Sequence, residues 1–307
     1  MNDAEVTKVL WEHLWRRYRQ RVAYAREYQA MIEAAGGRVV HDHVAFRSFR
    51  HFVNGLDLGI GYVARVLEPL GYQVKGAYEF PDTHLYAQHY EHPEEDAHDL
   101  PKVFVSELLV EELPFPVASM IKRVLDEAVD RLPSPSLEWV KLREERRLSL
   151  PDDKLAAAVA DVARFSTERP WPPPPREVVE TVNYTSQYAA WTLLHAFAVN
   201  HFTAFINRQN AAAYPDLEST VAGLVARGVP VRERIDGQPG SRLRQTTTAA
   251  VEEEVAVYDA DGKLTTIPWT YAYYELAERG LVEGRMFHGF IANQARQLFE
   301  TTRRGGA

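Results

Sequence analysis

The chain has 307 residues, 46% of them hydrophobic and 25% charged, with a formal net charge of −8; this is ordinary globular composition, long enough for one large domain or two small ones. It contains no cysteine, which excludes a disulfide framework, a thiolate nucleophile and a Cys-ligated metal, so any metal must use His, Asp or Glu. With no Lys/Arg-rich run, a polar N-terminus and no apolar run of transmembrane length, the expectation is a soluble cytoplasmic protein that binds neither nucleic acid nor membrane.

Residues from about 4 to 35 read as a helical arm. Val6, Val9, Leu10, Trp11, Leu14 and Trp15 recur at helical spacing, and Gly36-Gly37 stops the pattern. Residues 41–49 read as a strand in which His41, His43, Ala45, Arg47 and Phe49 share one face, while Asp42, Val44, Phe46 and Ser48 take the other. A buried histidine alone is most simply a satisfied core residue. An imidazole and a guanidinium on one strand face are a different matter, because one can ligate a metal and the other can clamp a carboxylate through two hydrogen bonds. His41 is read as supporting or structural. A helix through Tyr62, Val63, Val66 and Leu67 follows, then strands at 72–80, 85–90 and 103–110. The last of these places Glu107 on an otherwise apolar face.

Residues 113–195 change character, with helices at 115–131 and 154–164, a stiff extended connector at 170–175, and a helix at 178–197. The first pattern then returns. A strand at 199–207 carries His201 early, and a helix runs from Pro215 or Asp216 to Arg227. Strands at 229–235, 243–250 and 255–259 precede a turn at Asp261-Gly262. A strand at 269–279 puts Tyr271, Tyr273, Glu275, Ala277 and Arg279 on one face, and a terminal helix at 289–302 closes the chain.

Residues 38–112 and 196–302 therefore read as two β-α-β-β-β modules, each with an early His and a late acid. The fold expected is α+β: a single catalytic domain over 1–307 in which two paired modules enclose one cavity, with a helical arm (1–37) and a helical insertion between the modules (113–195). Such pairing gathers His43, His201, Glu107 and Glu275. Two imidazoles and one carboxylate make the facial triad of non-haem Fe(II) sites, whereas two of each suit a Lewis-acid metal more generally. If the two acids are only paired acids on strands, a cation nearby is expected all the same, because an unpaired buried carboxylate is costly.

Taken in order, the pieces resemble the 2-oxoadipate dioxygenase/decarboxylase (hydroxyglutarate synthase) family, a branch of the vicinal-oxygen-chelate proteins. The matching stretches are His43-Val44-Ala45-Phe46-Arg47-Ser48-Phe49, Leu100-Pro101-Lys102-Val103-Phe104-Val105-Ser106-Glu107-Leu108 and Asn200-His201-Phe202-Thr203. They continue with Tyr273-Tyr274-Glu275-Leu276-Ala277-Glu278-Arg279 and the closing Phe287-His288-Gly289-Phe290 through Leu298-Phe299-Glu300-Thr301-Thr302. The resemblance implies Fe(II) on His43, His201 and Glu275, with Arg47 gripping a carboxylate of the substrate. It also implies oxidative decarboxylation of 2-oxoadipate to 2-hydroxyglutarate with O2, a step of lysine breakdown. The chain is compact beside the longer bacterial members, and the resemblance assigns no purpose to the linker at 172–175.

Gln245 and Tyr273 are expected to orient the substrate from strands facing the same cavity, and Arg279 is the next candidate for the clamp. Two other readings compete. One is a glyoxalase-type isomerase or lyase using His43, Glu107, His201 and Glu275 on a redox-inert metal; the other is a non-catalytic ligand-binding protein. The sequence does not set the oligomeric state.

Overall fold

Helices α1 (Asp3–Arg21) and α2 (Ala23–Ala34) open the computed structural model, which describes residues 3–130, 152–292 and 299–302. The single helix expected over 4–35 breaks at Val22, whose backbone is extended. The break folds α2 back on α1, so that Trp15 Nε1 donates to Gln29 Oε1 at 3.0 Å.

The first module runs β1 (His41–Phe49), a short ribbon of β2 (Phe52–Val53) and β3 (Leu56–Asp57), α3 (Ile60–Leu67), β4 (Gln73–Phe80), β5 (Leu85–Glu91), the one-turn α4 (Glu95–His98) and β6 (Lys102–Leu108). Helices α5 (Phe115–Leu125), α6 (Asp152–Thr167), α7 (Arg176–Thr185) and α8 (Gln187–His195) stand between the modules. The helix expected at 178–197 is thus two. Ser186 is extended and its hydroxyl accepts the Ala189 N–H at 3.1 Å, a cap that starts α8 afresh. Position 131, at the end of the expected α5, lies outside the described residues. The Pro-rich connector is extended as expected and runs beside a hairpin of the second module, where the Pro174 carbonyl accepts the Tyr258 N–H at 3.0 Å.

The second module runs β7 (His201–Phe205), α9 (Leu217–Ala226), β8 (Leu243–Thr247), a hairpin of β9 (Glu252–Tyr258) and β10 (Leu264–Thr270), β11 (Tyr273–Arg279), and a ribbon of β12 (Leu281–Val282) and β13 (Arg285–Met286). The strand expected at 229–235 is absent as a named strand. That segment makes only isolated bridges along the edge of β8, Val231 to Thr248 and Asp236 to Gln245. Pro230 has no N–H to offer a ladder, and Arg232, Glu233 and Arg234 favour solvent. The strand expected at 269–279 is also split, because the chain leaves β10 at Thr270 and enters β11 at Tyr273. Of the expected terminal helix, residues 293–298 lie outside the described residues, and Phe299–Thr302 is a short 3-10 turn.

Seven strands form one mixed sheet in the order β4-β5-β6-β1-β7-β11-β8. In each module the first and last strands are parallel neighbours, β1 with β6 and β7 with β11, and the modules meet where β1 pairs antiparallel with β7. One sheet face packs on the arm through Trp15, Tyr18, Phe202 and Tyr274. The other carries the cavity.

The registers define a local two-fold relation. Val44 faces Phe202 across the β1–β7 pair, and Ala45 faces His201, so His43 and His201 sit symmetrically about the junction. Along the parallel pairs, Lys102 aligns with His43 and Tyr273 with His201. Counting on by equal steps, the counterpart of Glu275 is Phe104, and the counterpart of Glu107 is Glu278. The side chains confirm this. Glu107 accepts the Ile60 N–H that opens α3 at 2.9 Å and pairs with Arg50 at 2.6 Å. Glu278 accepts the Leu217 N–H that opens α9 at 2.9 Å and pairs with Arg244 at 3.0 Å. Each is an acid on the last strand of its module that satisfies the exposed donors and positive end of that module's helix. Glu107 and Glu275, read from sequence as equivalent acids, are not equivalent.

Replacing either cap should therefore cost stability. Glu107→Ala and Glu278→Ala are each expected to lower the unfolding free energy by about 1–2 kcal/mol, read as a shift of the urea midpoint. Unchanged midpoints in both variants would refute the shared capping role.

Candidate metal centre and substrate cavity

Adjacent strands bring three side chains from both modules to one point. His43 comes from β1, His201 from the neighbouring β7, and Glu275 from β11, where it lies beside Thr203 in parallel register. One ligand atom from each lies within 4.8 Å of the others. His201 Nε2 is 3.3 Å from His43 Nε2 and 3.2 Å from Glu275 Oε2, and His43 Nε2 is 3.8 Å from Glu275 Oε1. All three are buried, Glu275 completely.

The electrostatics show what the cluster can hold. Among the described residues, neither oxygen of Glu275 has a hydrogen-bond donor. Burial, reinforced by the nearby charge of Asp42, pushes its carboxyl well above the usual range. Burial also lowers both histidines, and His201 is lowered further by His43 and Arg47. Two neutral imidazoles and a buried carboxylate without a donor make a donor set that fits a divalent cation, and a buried carboxylate without one is costly.

Each histidine is oriented by the residue before it. Asp42 Oδ2 accepts from His43 Nδ1 at 2.7 Å, and Asn200 Oδ1 accepts from His201 Nδ1 at 3.1 Å. With Nδ1 carrying the proton, Nε2 of each ring keeps its lone pair for the centre, the usual arrangement behind a metal-bound histidine. Asp42 is itself held by Arg279, whose Nη2 donates to Oδ2 at 2.8 Å and whose Nε donates to Oδ1. Burial opposes the charge of Asp42, but Arg279 and His43 overcome it and hold the carboxyl well below its ordinary value.

A register shift between His41 and Val44 lets Asp42 turn beside His43, against simple strand alternation. It also removes His41 from the site: that ring packs on Trp15 and Phe202, centroids 4.4 and 4.7 Å away, and burial lowers its pKa to about 3. His41 is structural.

A cavity adjoins the centre, and Arg47, Gln245 and Tyr273 all line it. Arg47 is 2% exposed, and its guanidinium carbon lies 4.9 Å from the ring centres of both Tyr188 and Trp191 of α8, a cation–π cradle for a buried cation. The Tyr273 ring stacks on His201 with centroids 4.8 Å apart. Phe290 covers the centre, 4.9 Å from the His43 ring, and Arg279 Nη1 fixes the segment that carries it by donating to the carbonyls of Phe287 and Gly289 at 3.0 and 2.8 Å.

Two sequence candidates lie elsewhere. Glu107 faces α3, away from the cavity, and Arg279 is committed to Asp42. Asp42, Asn200, Phe290 and the Tyr188–Trp191 cradle were not singled out as site residues. The repeated dipeptides Asp42-His43 and Asn200-His201 were the available signal for the first two. A second cluster, Glu91, Glu95 and His288, has ligand-like spacing, but the Lys102 ammonium already sits within it, 3.6 Å from Glu91 and in direct contact with Glu95.

A model of the 2-oxoadipate dioxygenase/decarboxylase family matches residues 8–305. The chain is 24% identical over 286 residues to the chloroplastic 2-oxoadipate dioxygenase/decarboxylase of Arabidopsis thaliana, covering 86% of this chain and 68% of that one. Its fold is similar to that of a glyoxalase-superfamily protein from Ralstonia eutropha, with a TM-score of 0.84 and 25% identity over 95% of this chain and 88% of that one. It is also similar to that of the hydroxyglutarate synthase from Oryza sativa solved with 2-oxoadipate, with a TM-score of 0.76 and 23% identity over 98% and 93% of the two chains. Paired modules around one cavity, the glyoxalase-superfamily fold and a match along almost the whole length agree: the chain belongs to the 2-oxoadipate dioxygenase/decarboxylase family.

Proposed function

We propose that the protein is a non-haem Fe(II) enzyme that converts a 2-oxo diacid, 2-oxoadipate, and O2 into 2-hydroxyglutarate and CO2, as a step in lysine breakdown. The observation that carries this reading is the buried Glu275 carboxylate, without a donor and facing two oriented imidazoles at the edge of a cavity that also holds Arg47. His43, His201 and Glu275 would hold the iron and leave positions open for substrate and O2. The iron supplies the redox chemistry that couples O2 reduction to oxidative loss of the C1 carboxylate, and both oxygen atoms end in the products.

The protein's own residues supply the rest. Arg47 binds a substrate carboxylate through its planar fork, and the Tyr188 and Trp191 rings keep that fork in place before substrate arrives. Gln245 and Tyr273 flank the substrate from β8 and β11. Phe104 and Phe290 exclude water from the reacting end. The isomerase reading requires Glu107 as a fourth ligand, and Glu107 is engaged by Arg50 and the start of α3.

Two results are expected. First, the protein loaded anaerobically should retain Fe(II) after desalting, and Ala at His43, His201 or Glu275 should strip it while circular dichroism stays native. Full iron occupancy in His201→Ala would contradict the ligand set. Second, Arg47→Ala should keep iron but lose roughly 30- to several-thousand-fold in kcat/KM for 2-oxoadipate, corresponding to about 2–5 kcal/mol for an unpaired buried carboxylate. Arg47→Lys should recover only part, because an ammonium cannot reproduce the fork. Near wild-type O2 uptake by iron-loaded Arg47→Ala would place the clamp elsewhere.

A further inference from the structure

Asn200 stands next to His201 on the cavity wall, is 3% exposed, and lines the cavity. Its two amide atoms have different fates. Oδ1 accepts from His201 Nδ1 at 3.1 Å. A histidine that offers Nε2 to a metal must carry its proton on Nδ1, so this contact fixes which way the amide faces, because only the oxygen can accept. Nδ2 is then a buried donor, and among the described residues it has no acceptor.

The opposite half of the site shows what a closed version of this arrangement looks like. Asp42 is the counterpart of Asn200, and both of its oxygens are used, by His43 and by Arg279. By the two-fold register, the position that answers to Arg279 in the first module is Leu108, which offers nothing to an amide. A buried N–H with no partner costs roughly as much as a lost hydrogen bond. Asn200 lines the same cavity as Arg47, and the Asn200 backbone N–H is anchored at 2.9 Å on Ala45, two residues before Arg47 on β1.

We infer that Asn200 is a substrate-binding residue as well as the support of His201: its Nδ2 donates a hydrogen bond to a carboxylate oxygen of the bound 2-oxo diacid, alongside Arg47. One amide thereby couples ligand orientation to substrate recognition. This rests on the reading of the cavity proposed above.

The test is anaerobic calorimetric titration of the Fe(II)-loaded protein with 2-oxoadipate, with iron content measured on the same samples. Asn200→Asp keeps an oxygen for His201 Nδ1 but replaces the donor with a negative charge. It should retain wild-type iron and bind 2-oxoadipate about 10- to 100-fold more weakly, as expected for losing a hydrogen bond to a charged group. Asn200→Ala removes both functions and should lower iron content as well as substrate affinity. Wild-type affinity in either iron-loaded variant would overturn the role of Asn200. Failure of the wild-type protein itself to bind 2-oxoadipate would be a different result, one that overturns the proposed function on which this role depends.

Discussion

A buried carboxylate without a donor is costly to charge unless a cation stands beside it, and among the described residues neither oxygen of Glu275 has a donor. Much of the structure follows from that constraint. The sheet is assembled so that β1 and β7, the first strands of the two modules, are direct neighbours, which places one imidazole from each beside the acid. Neither module could build the centre alone, since the first contributes one histidine and the second a histidine and the acid. The flanking residues then turn both Nε2 atoms inward, and the aromatic cover lowers the local polarity, which strengthens every charge interaction within the site.

The two halves are related by topology and divided by chemistry. Their helices are capped by equivalent acids, Glu107 and Glu278, and their histidines are preceded by equivalent Asx residues. At the centre the equivalence ends: Phe104 occupies the position that Glu275 holds in the other half, so the acid of the cluster comes from one module only. Under the proposed function, the space beside Phe104 receives the substrate. Charge is balanced in the same uneven way. Asp42 is neutralised by Arg279, and Arg47 lines the cavity. Under the proposed function, a divalent metal and Arg47 together match the charges of Glu275 and a dicarboxylate.

Much of this was legible in the sequence. The spacing of strands, helix and acid gave both modules, and the alternation along residues 41–49 and 269–279 placed His43, Arg47, Tyr273 and Glu275 on inward faces. What escaped was set by local geometry. The register shift after His41 reversed that side chain and brought Asp42 beside His43, and alternation assumes an unbroken ladder. The pairing of Glu107 with Glu275 failed because order along the chain does not give register. The extra β9–β10 hairpin lengthens the second module before its last strand, so the later acid Glu278, and not Glu275, answers to Glu107. The strand expected at 229–235 sits at the correct edge of the sheet, yet Pro230 and a run of charges keep it from pairing continuously.

The most direct measurement is anomalous diffraction at the iron edge from crystals grown anaerobically with Fe(II). A single strong peak bounded by His43 Nε2, His201 Nε2 and the Glu275 carboxylate is the predicted result. A peak at Glu91, Glu95 and His288 instead, or none between the two module histidines, would contradict a centre built across the junction of β1 and β7.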